Sequence, residues 1–550
     1  MTATTHSPAN TERAPSNGHA LAGTGTLVRF MLRRDRIRLL AWTAGFAALT
    51  LYLVTALPVA YETEADLAAA TQLFADPVGR MLIGPGYGFD DPSFERFVAN
   101  GYGLYFFILS ALMSILLIVR HTRLEEQTGR AELVRANVVG RHTALTSALI
   151  VTVITNLVIG AAVFGVMVAV AGFGAGGSAL FAASIAAVGV GFGGIATITA
   201  QLTEYSRAAA GIAGAALGAA FVLRAGGDMA AEGGNALSWT SPLGWGQQTA
   251  PFVLDRWWPL ALPLGLAVVA AAVGYALAVR RDVGASLFSA RPGPATAAPS
   301  LGTPLGLALR LQRASILGWG AALIIGGLVF GAYTDALIEA LADMPDVFLE
   351  LFGGAEDMVA GYLAYMAEFM AYLVAAFAIM AVRSLRNEET GGRAEPVLAT
   401  PVSRWAWLGS NLAVAAAAVV VLMGLTGAAT GAGAAIVTGE AHHVGELTAA
   451  HLNHAPGPLL VLGVAALLFG VFPRAVPIAW VLVGYGLVVG TFGPLLDLPE
   501  AAFDLSPFEH PAEMPLEGFA LAPVAILTLL AIVAAALGLL AFRQRGVNVT

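Results

Sequence analysis

Long apolar runs separated by short polar segments set the pattern of this chain. A membrane-spanning helix needs about 20 consecutive apolar residues. Twelve runs approach or exceed that length, at about 39–59, 102–119, 144–170, 178–200, 208–224, 257–279, 315–333, 364–382, 406–430, 457–473, 475–495 and 519–541. Backbone in lipid must satisfy its own hydrogen bonds, so the runs predict helices. Barrel strands would be about 10 residues long and would alternate. The polar segments have a pattern of their own. "RLEEQTGRAE" runs from Arg123 to Glu132 and "RNEETGGRAE" from Arg386 to Glu395, offset by 263 residues. Upstream, "RRDRIRLLAW" ending at Trp42 matches "RLQRASILGW" ending at Trp319. Downstream, "SPLGW" at Ser241 answers "SPF" at Ser506, each before the last apolar run of its half.

The expected architecture is therefore an all-α integral membrane protein, with twelve transmembrane helices as two tandem six-helix halves of the same orientation. The boundaries are 1–24 for a disordered cytoplasmic tail and 25–282 for the first half. A Pro-, Ala-, Gly- and Ser-rich cytoplasmic linker covers 283–303, and the second half covers 304–546.

Composition agrees. The chain is 57% hydrophobic and 12% charged, with a mean hydropathy of +0.76. Soluble domains carry about 45–50% apolar and about 25% charged residues. Cysteine is absent, which excludes disulfides, thiolate catalysis and cysteine metal sites. Lysine is absent too: the 28 basic residues are all arginine. A P-loop, G-x4-G-K-[ST], needs its lysine to reach the nucleotide phosphates, so the chain holds no such motif. Arginines crowd at 29–38, 120–141, 280–313, 383–404 and 543–545, whereas 334–357 and 496–518 are acidic. The positive-inside rule places both termini and the arginine-rich loops in the cytoplasm, leaving Arg80, Arg96, Arg224 and Arg256 outside. Before the first run, Leu27, Phe30, Met31 and Ile37 would dip into lipid while Arg29, Arg33, Arg34 and Arg36 reach headgroups. That stretch is either a positive-inside anchor or an elbow helix that moves during transport.

The charged decapeptides have two readings. Glu126 and Arg130, and likewise Glu389 and Arg393, are four residues apart and would pair on a helix. But Gly129, Gly391 and Gly392 weaken a continuous helix there. Persistence of the spacing in both halves points to a common external surface. The second copy continues "GGRAEPVLATPVSRWAWLGSNL" from Gly391 to Leu412, and this run resembles the cytoplasmic loop after the second helix of ABC type 2 permeases. The first copy keeps Glu132 and Arg141, with Asn137, Val138 and Gly140 where the second has Thr400, Pro401 and Ser403. The fused twelve-helix form resembles actinobacterial antibiotic exporters of the tetronasin-resistance type.

That resemblance implies a permease that is not itself an enzyme. Its decapeptides would be coupling loops for a separate P-loop ATPase in two copies, most simply a homodimer. Arg123, Glu125, Glu126, Gly129, Arg130, Glu132 and Arg141 would form one docking loop. Arg386, Glu388, Glu389, Gly392, Arg393, Glu395 and Arg404 would form the other. The glutamates would face basic residues of the ATPase; Arg130, Arg141, Arg393 and Arg404 would fix the loops against headgroups or acidic partner residues. ATP and Mg would be bound by the partner, and no cofactor by this chain. The location would be the bacterial cell membrane.

Few polar groups lie at membrane depth. Thr152, Thr155, Asn156 and Asn411 either line the path of a hydrophobic small-molecule passenger or hold helices together. Glu368 is expected near an outer helix end. His442, His443, His451 and His454, with Glu440 and Glu446, are expected in an outer loop; His451-x-x-His454 has zinc-ligand spacing, but such a cluster reads as solvated loop and no metal site is expected. A proton-coupled drug transporter of the major-facilitator type is the competing class. It also has two six-helix halves, but its charged loop reads G-x-x-x-D-R-x-G-R-R. Nothing in the chain suggests nucleic-acid binding.

Overall fold

The computed structural model describes residues 20–61, 63–72, 75, 77–136, 139–281, 287, 294–334, 338, 355–492 and 498–546. The regular elements among them are all helical. Twelve described helices are long and apolar enough to cross a membrane: α1 Thr24–Ala60, α2 Gly103–Gln127, α3 Thr143–Ala169, α4 Ala175–Leu202, α5 Ser206–Ala230 and α6 Trp258–Val279, then α7 Pro304–Ala332, α8 Met358–Thr390, α9 Arg404–Thr438, α10 His442–Val471, α11 Pro473–Thr491 and α12 Leu521–Gln544. The chain forms two compact units that divide between Pro292 and Gly293, so each unit holds six of these helices. The chain is a multi-pass membrane protein.

In the first unit α4 is the most enclosed helix, packed by α2, α3 and α6. Its glycines permit the close approach. A Cβ at Gly194 would lie 2.8 Å from the Cα of Ala267 in α6. In the second unit α7 crosses α9 in the same way: a Cβ at Gly327 would lie 2.8 Å from the Thr426 carbonyl oxygen. Small residues at crossings bring helix backbones close enough for dispersion to hold them where no hydrophobic effect operates. The outward faces stay apolar, as Leu264, Val268 and Val269 of α6 and Leu529 and Ile532 of α12 illustrate.

Three expectations need correcting. The basic stretch 27–38 is no separate elbow but the start of α1, whose 37 residues span about 55 Å, well beyond a bilayer's apolar thickness. Within it Phe30 and Ile37 are exposed, but Met31 is buried. Residues His442–Asn453 are helical, not a loop, and belong to α10. Glu368 sits within α8 rather than at an end. The tail 1–19, most of the linker, Asp335, Glu339, Asp343, Asp346, Glu350, Asn137 and Val138 lie outside the described residues.

Candidate functional site

The first decapeptide begins while α2 is still helical. A wide π turn over Arg120–Leu124 and a last helical turn, Glu125–Gln127, carry its charged half. Gly129 then takes φ 72°, a left-handed conformation that glycine adopts without steric cost, and the short helix Arg130–Arg135 starts from it. Arg123 is buried. Its Nε donates to the Ala200 carbonyl at 3.0 Å and its Nη1 lies 2.9 Å from Glu126. Glu126 is also gripped by both terminal nitrogens of Arg281, each at 2.8 Å. Glu125 pairs with Arg34 at 2.9 Å and lies 3.9 Å from Arg130. Just upstream, buried Asp35 of α1 accepts two bonds from Arg120 and lies 3.0 Å from His121 Nε2. Gln127 accepts from the Ser206 N–H and hydroxyl at the start of α5. Gln127, Thr128, Gly129, Arg130, Glu132 and Leu133 are exposed. Arg141 is exposed too, its Nε 3.1 Å from His142 Nε2.

The second copy is built alike. α8 ends at Thr390, Gly392 takes φ 67°, and the short helix Ala394–Leu398 follows. Glu388 accepts two bonds from Arg393 at 2.9 Å, and this carboxylate raises the Arg393 pKa above its usual value. Glu389 is buried and gripped by Arg545 Nη1 and Nη2 at 2.7 and 3.0 Å. Arg404 faces the Arg543 carbonyl at 3.1 Å and the Arg545 carbonyl, closing the last turn of α12. Arg386 is partly buried, and Glu395 is exposed.

The glutamates thus divide. Glu126 and Glu389 point inward rather than toward a partner, and Arg404 contacts a helix end rather than headgroups. Glu125 and Glu388 are partly buried within ion pairs. The physical reason is that a buried carboxylate needs a charge partner close by. Only Glu132 and Glu395 are exposed as expected. Sequence reading missed the grip of Arg281 and Arg545. The available signal was their position: each follows the last helix of its unit, 155 and 156 residues after its glutamate.

Residues 301–543 match the family described as "Multidrug efflux system permease Rv1217c, C-terminal domain". The chain is also 37% identical over 554 residues to the multidrug efflux system permease protein Rv1217c of Mycobacterium tuberculosis (strain ATCC 25618 / H37Rv), covering 98% of this chain and 97% of that protein. The chain belongs to the Rv1217c family of multidrug efflux permeases. As a permease it is a transport component rather than an enzyme.

In this Rv1217c-family permease the expected pathway residues are buried between helices. Asn156 Oδ1 accepts from Ser110 at 2.7 Å, and its Nδ2 donates to Ser114 at 2.9 Å and to the Thr152 carbonyl. Thr152 and Thr155 bond back to the carbonyls of Ala148 and Val151. Asn411 receives Gln312 Nε2 at 3.2 Å and donates to the Trp407 carbonyl. These bonds tie α3 to α2 and α9 to α7. Asn156→Ala is expected to cost about 1–2 kcal/mol, because the buried Ser114 hydroxyl loses its donor and Ser110 keeps only the Ile185 carbonyl. A lower melting temperature in detergent with unchanged transport kinetics is the expected result; changed drug selectivity at full stability would instead mark a pathway role.

Charged groups are also buried elsewhere in the two units. Arg224, near the end of α5, is fully buried beside Asp228 at 3.1 Å. Glu368 accepts from the Tyr372 hydroxyl. Glu509, near it, has its carboxyl pushed above the usual range by burial. The histidines separate: His451 and His454 are buried in α10, whereas Glu440, His442 and His443 bring donor atoms within 4.8 Å of one another at its start. His451 and His454, despite their zinc-ligand spacing, are thus not part of the cluster the geometry assembles. In the first unit a cavity of about 440 Å³ lies behind the loop, lined by Phe30, Met31, Arg34, Glu125, Val134 and Arg281 among others.

Proposed function

We propose that this permease is the membrane subunit of an ATP-driven ABC type 2 exporter that moves hydrophobic or amphipathic compounds out of the cell. A separate P-loop ATPase, in two copies, docks on the two decapeptide loops. The observation that carries this reading is recurrence: each unit has one charged loop with the same helix, left-handed glycine and short helix, and each presents an arginine and a glutamate outward, Arg130 with Glu132 and Arg393 with Glu395. Charged rim contacts of this kind set register and orientation more than raw affinity. The lack of any lysine puts the P-loop on another chain. The name of the Mycobacterium tuberculosis relative, a permease protein of an efflux system, accords with a component that works with others.

Both termini and both loops lie in the cytoplasm on this reading, as the arginine distribution requires. ATP and Mg bind the partner. The passenger is apolar because α3, α4 and α6 contain no acidic or basic residue, so a charged solute would cross without compensation.

The test is co-purification from the native host through a tag on this chain. A P-loop ATPase is expected at two copies per chain. Glu132→Arg with Glu395→Arg, both exposed and outside the internal ion pairs, is expected to release it. No P-loop protein following the wild-type chain would overturn the reading and leave a gradient-driven carrier as the better one.

A further inference from the structure

We infer that Glu126–Arg281 and Glu389–Arg545 are coupling struts, which fasten each docking loop to the last helix of its unit so that the two move together. The inference rests on the docking function proposed above. It assigns Arg281 and Arg545, which follow α6 and α12, as positioning residues for transport.

The first ground is that this grip survives where its surroundings do not. Glu125 pairs with Arg34 of α1, but Glu388 pairs with Arg393 of its own loop. Asp35 of α1 holds Arg120, but the corresponding position in α7 is Gln312, which binds Asn411. The neighbours have diverged in sequence and in partner. The second glutamate of each loop has kept the same partner type, the same two-pronged geometry and nearly the same chain distance.

The second ground is rigidity. Side-chain exposure is 6% for Arg281 and 9% for Glu126, and 11% for Arg545 and 3% for Glu389. A two-pronged guanidinium–carboxylate pair fixes orientation as well as distance, and shielding from water spares it the screening that weakens surface pairs. Each arginine is also held from behind. Arg281 Nε donates to Gln201 of α4 at 2.7 Å. Arg545 lies over the rings of Phe469 and Phe542 at 5.4 and 5.3 Å.

The third ground is that the last helix holds both ends of the loop. In the second unit Glu389 is tied at the loop's beginning, and at its finish Arg404 bonds the final carbonyls of α12. In the first unit Glu126 is tied at the beginning. At the finish the Thr146 hydroxyl meets the Tyr275 hydroxyl of α6 at 2.6 Å, and the His142 ring packs edge-on against Tyr275. One anchor would suffice to fold a loop. Two anchors on one helix make loop and helix a single lever.

The test uses the permease–ATPase complex reconstituted in liposomes, with Arg281→Gln and Arg545→Gln combined. The readouts are ATPase copies per chain, basal hydrolysis, and drug exported per ATP hydrolysed. The expected result is unchanged stoichiometry and basal hydrolysis, with export per ATP reduced by roughly tenfold. Arg281→Lys with Arg545→Lys keeps the charge but loses the fork, and is expected to fall between; it serves as the test if the glutamine variants do not fold. In the first unit the swap Glu126→Arg with Arg281→Glu is expected to recover part of the loss. Export per ATP equal to wild type in assembled complexes would overturn the struts while leaving docking intact. Loss of ATPase from the variants alone would assign the pairs to assembly and overturn them as levers. A wild-type chain that binds no ATPase would overturn docking and the struts together.

Discussion

Replacing Arg224 with alanine is expected to destabilise the first unit by about 3–5 kcal/mol, the cost of leaving a buried charge without its partner. Arg224 has no exposed surface, and neither has Asp228 to any useful degree. The guanidinium is the hub of that region: it bonds Asp228 at 3.1 Å, the Arg80 carbonyl at 3.5 Å and the Met81 carbonyl, which belong to the segment Pro77–Ile83 packed on α5. The Ser238 hydroxyl donates to the other Asp228 oxygen at 2.6 Å, so the carboxylate also fixes the turn before Ser241. Alanine removes a donor from two backbone carbonyls and leaves the buried acid with the Ser238 hydroxyl but without its ion-pair partner. Thermal melting of purified protein checks the magnitude. Arg224→Met with Asp228→Leu together is expected to recover most of the loss, since a buried ion pair replaced by apolar groups of similar size is often neutral. If the double variant is as unstable as Arg224→Ala, the carbonyl contacts rather than the ion pair hold the region.

The second large effect concerns energy supply. On the function proposed above, replacing the P-loop lysine of the partner ATPase is expected to abolish drug export, to the level of cells lacking the permease. Dissipating the proton gradient in ATP-loaded proteoliposomes is expected to leave export intact. The chain contains no lysine and hence no P-loop of its own. Two of the buried acids among the described residues are already engaged, Asp228 with Arg224 and Glu368 with Tyr372. Drug accumulation in cells and in proteoliposomes is the measurement. Export that survives the lysine replacement but collapses with the gradient would reverse the assignment.

The chain by itself determined the helical class, the number of spans and the two-copy loops. These follow from local properties: runs of about 20 apolar residues, a repeated charged decapeptide, and glycines at 129 and 392 that end a helix through their own backbone freedom. The absence of lysine is likewise a property of composition, and it needs no fold to exclude a P-loop. Tertiary structure alone decided which charges remain outward. Glu125, Glu126 and Glu132 are equivalent in sequence, but only Glu132 is exposed, because Arg34 and Arg281 arrive from residues far away in the chain. The same holds for Glu389, which Arg545 reaches from the far end of the second unit. His451 and His454 show the opposite error: they read as residues of a solvated outer loop, and the packing of α10 buried them. Spacing along a helix tells which side chains share a face. Which face meets a neighbour, and what charge that neighbour offers, depends on contacts between residues distant in sequence.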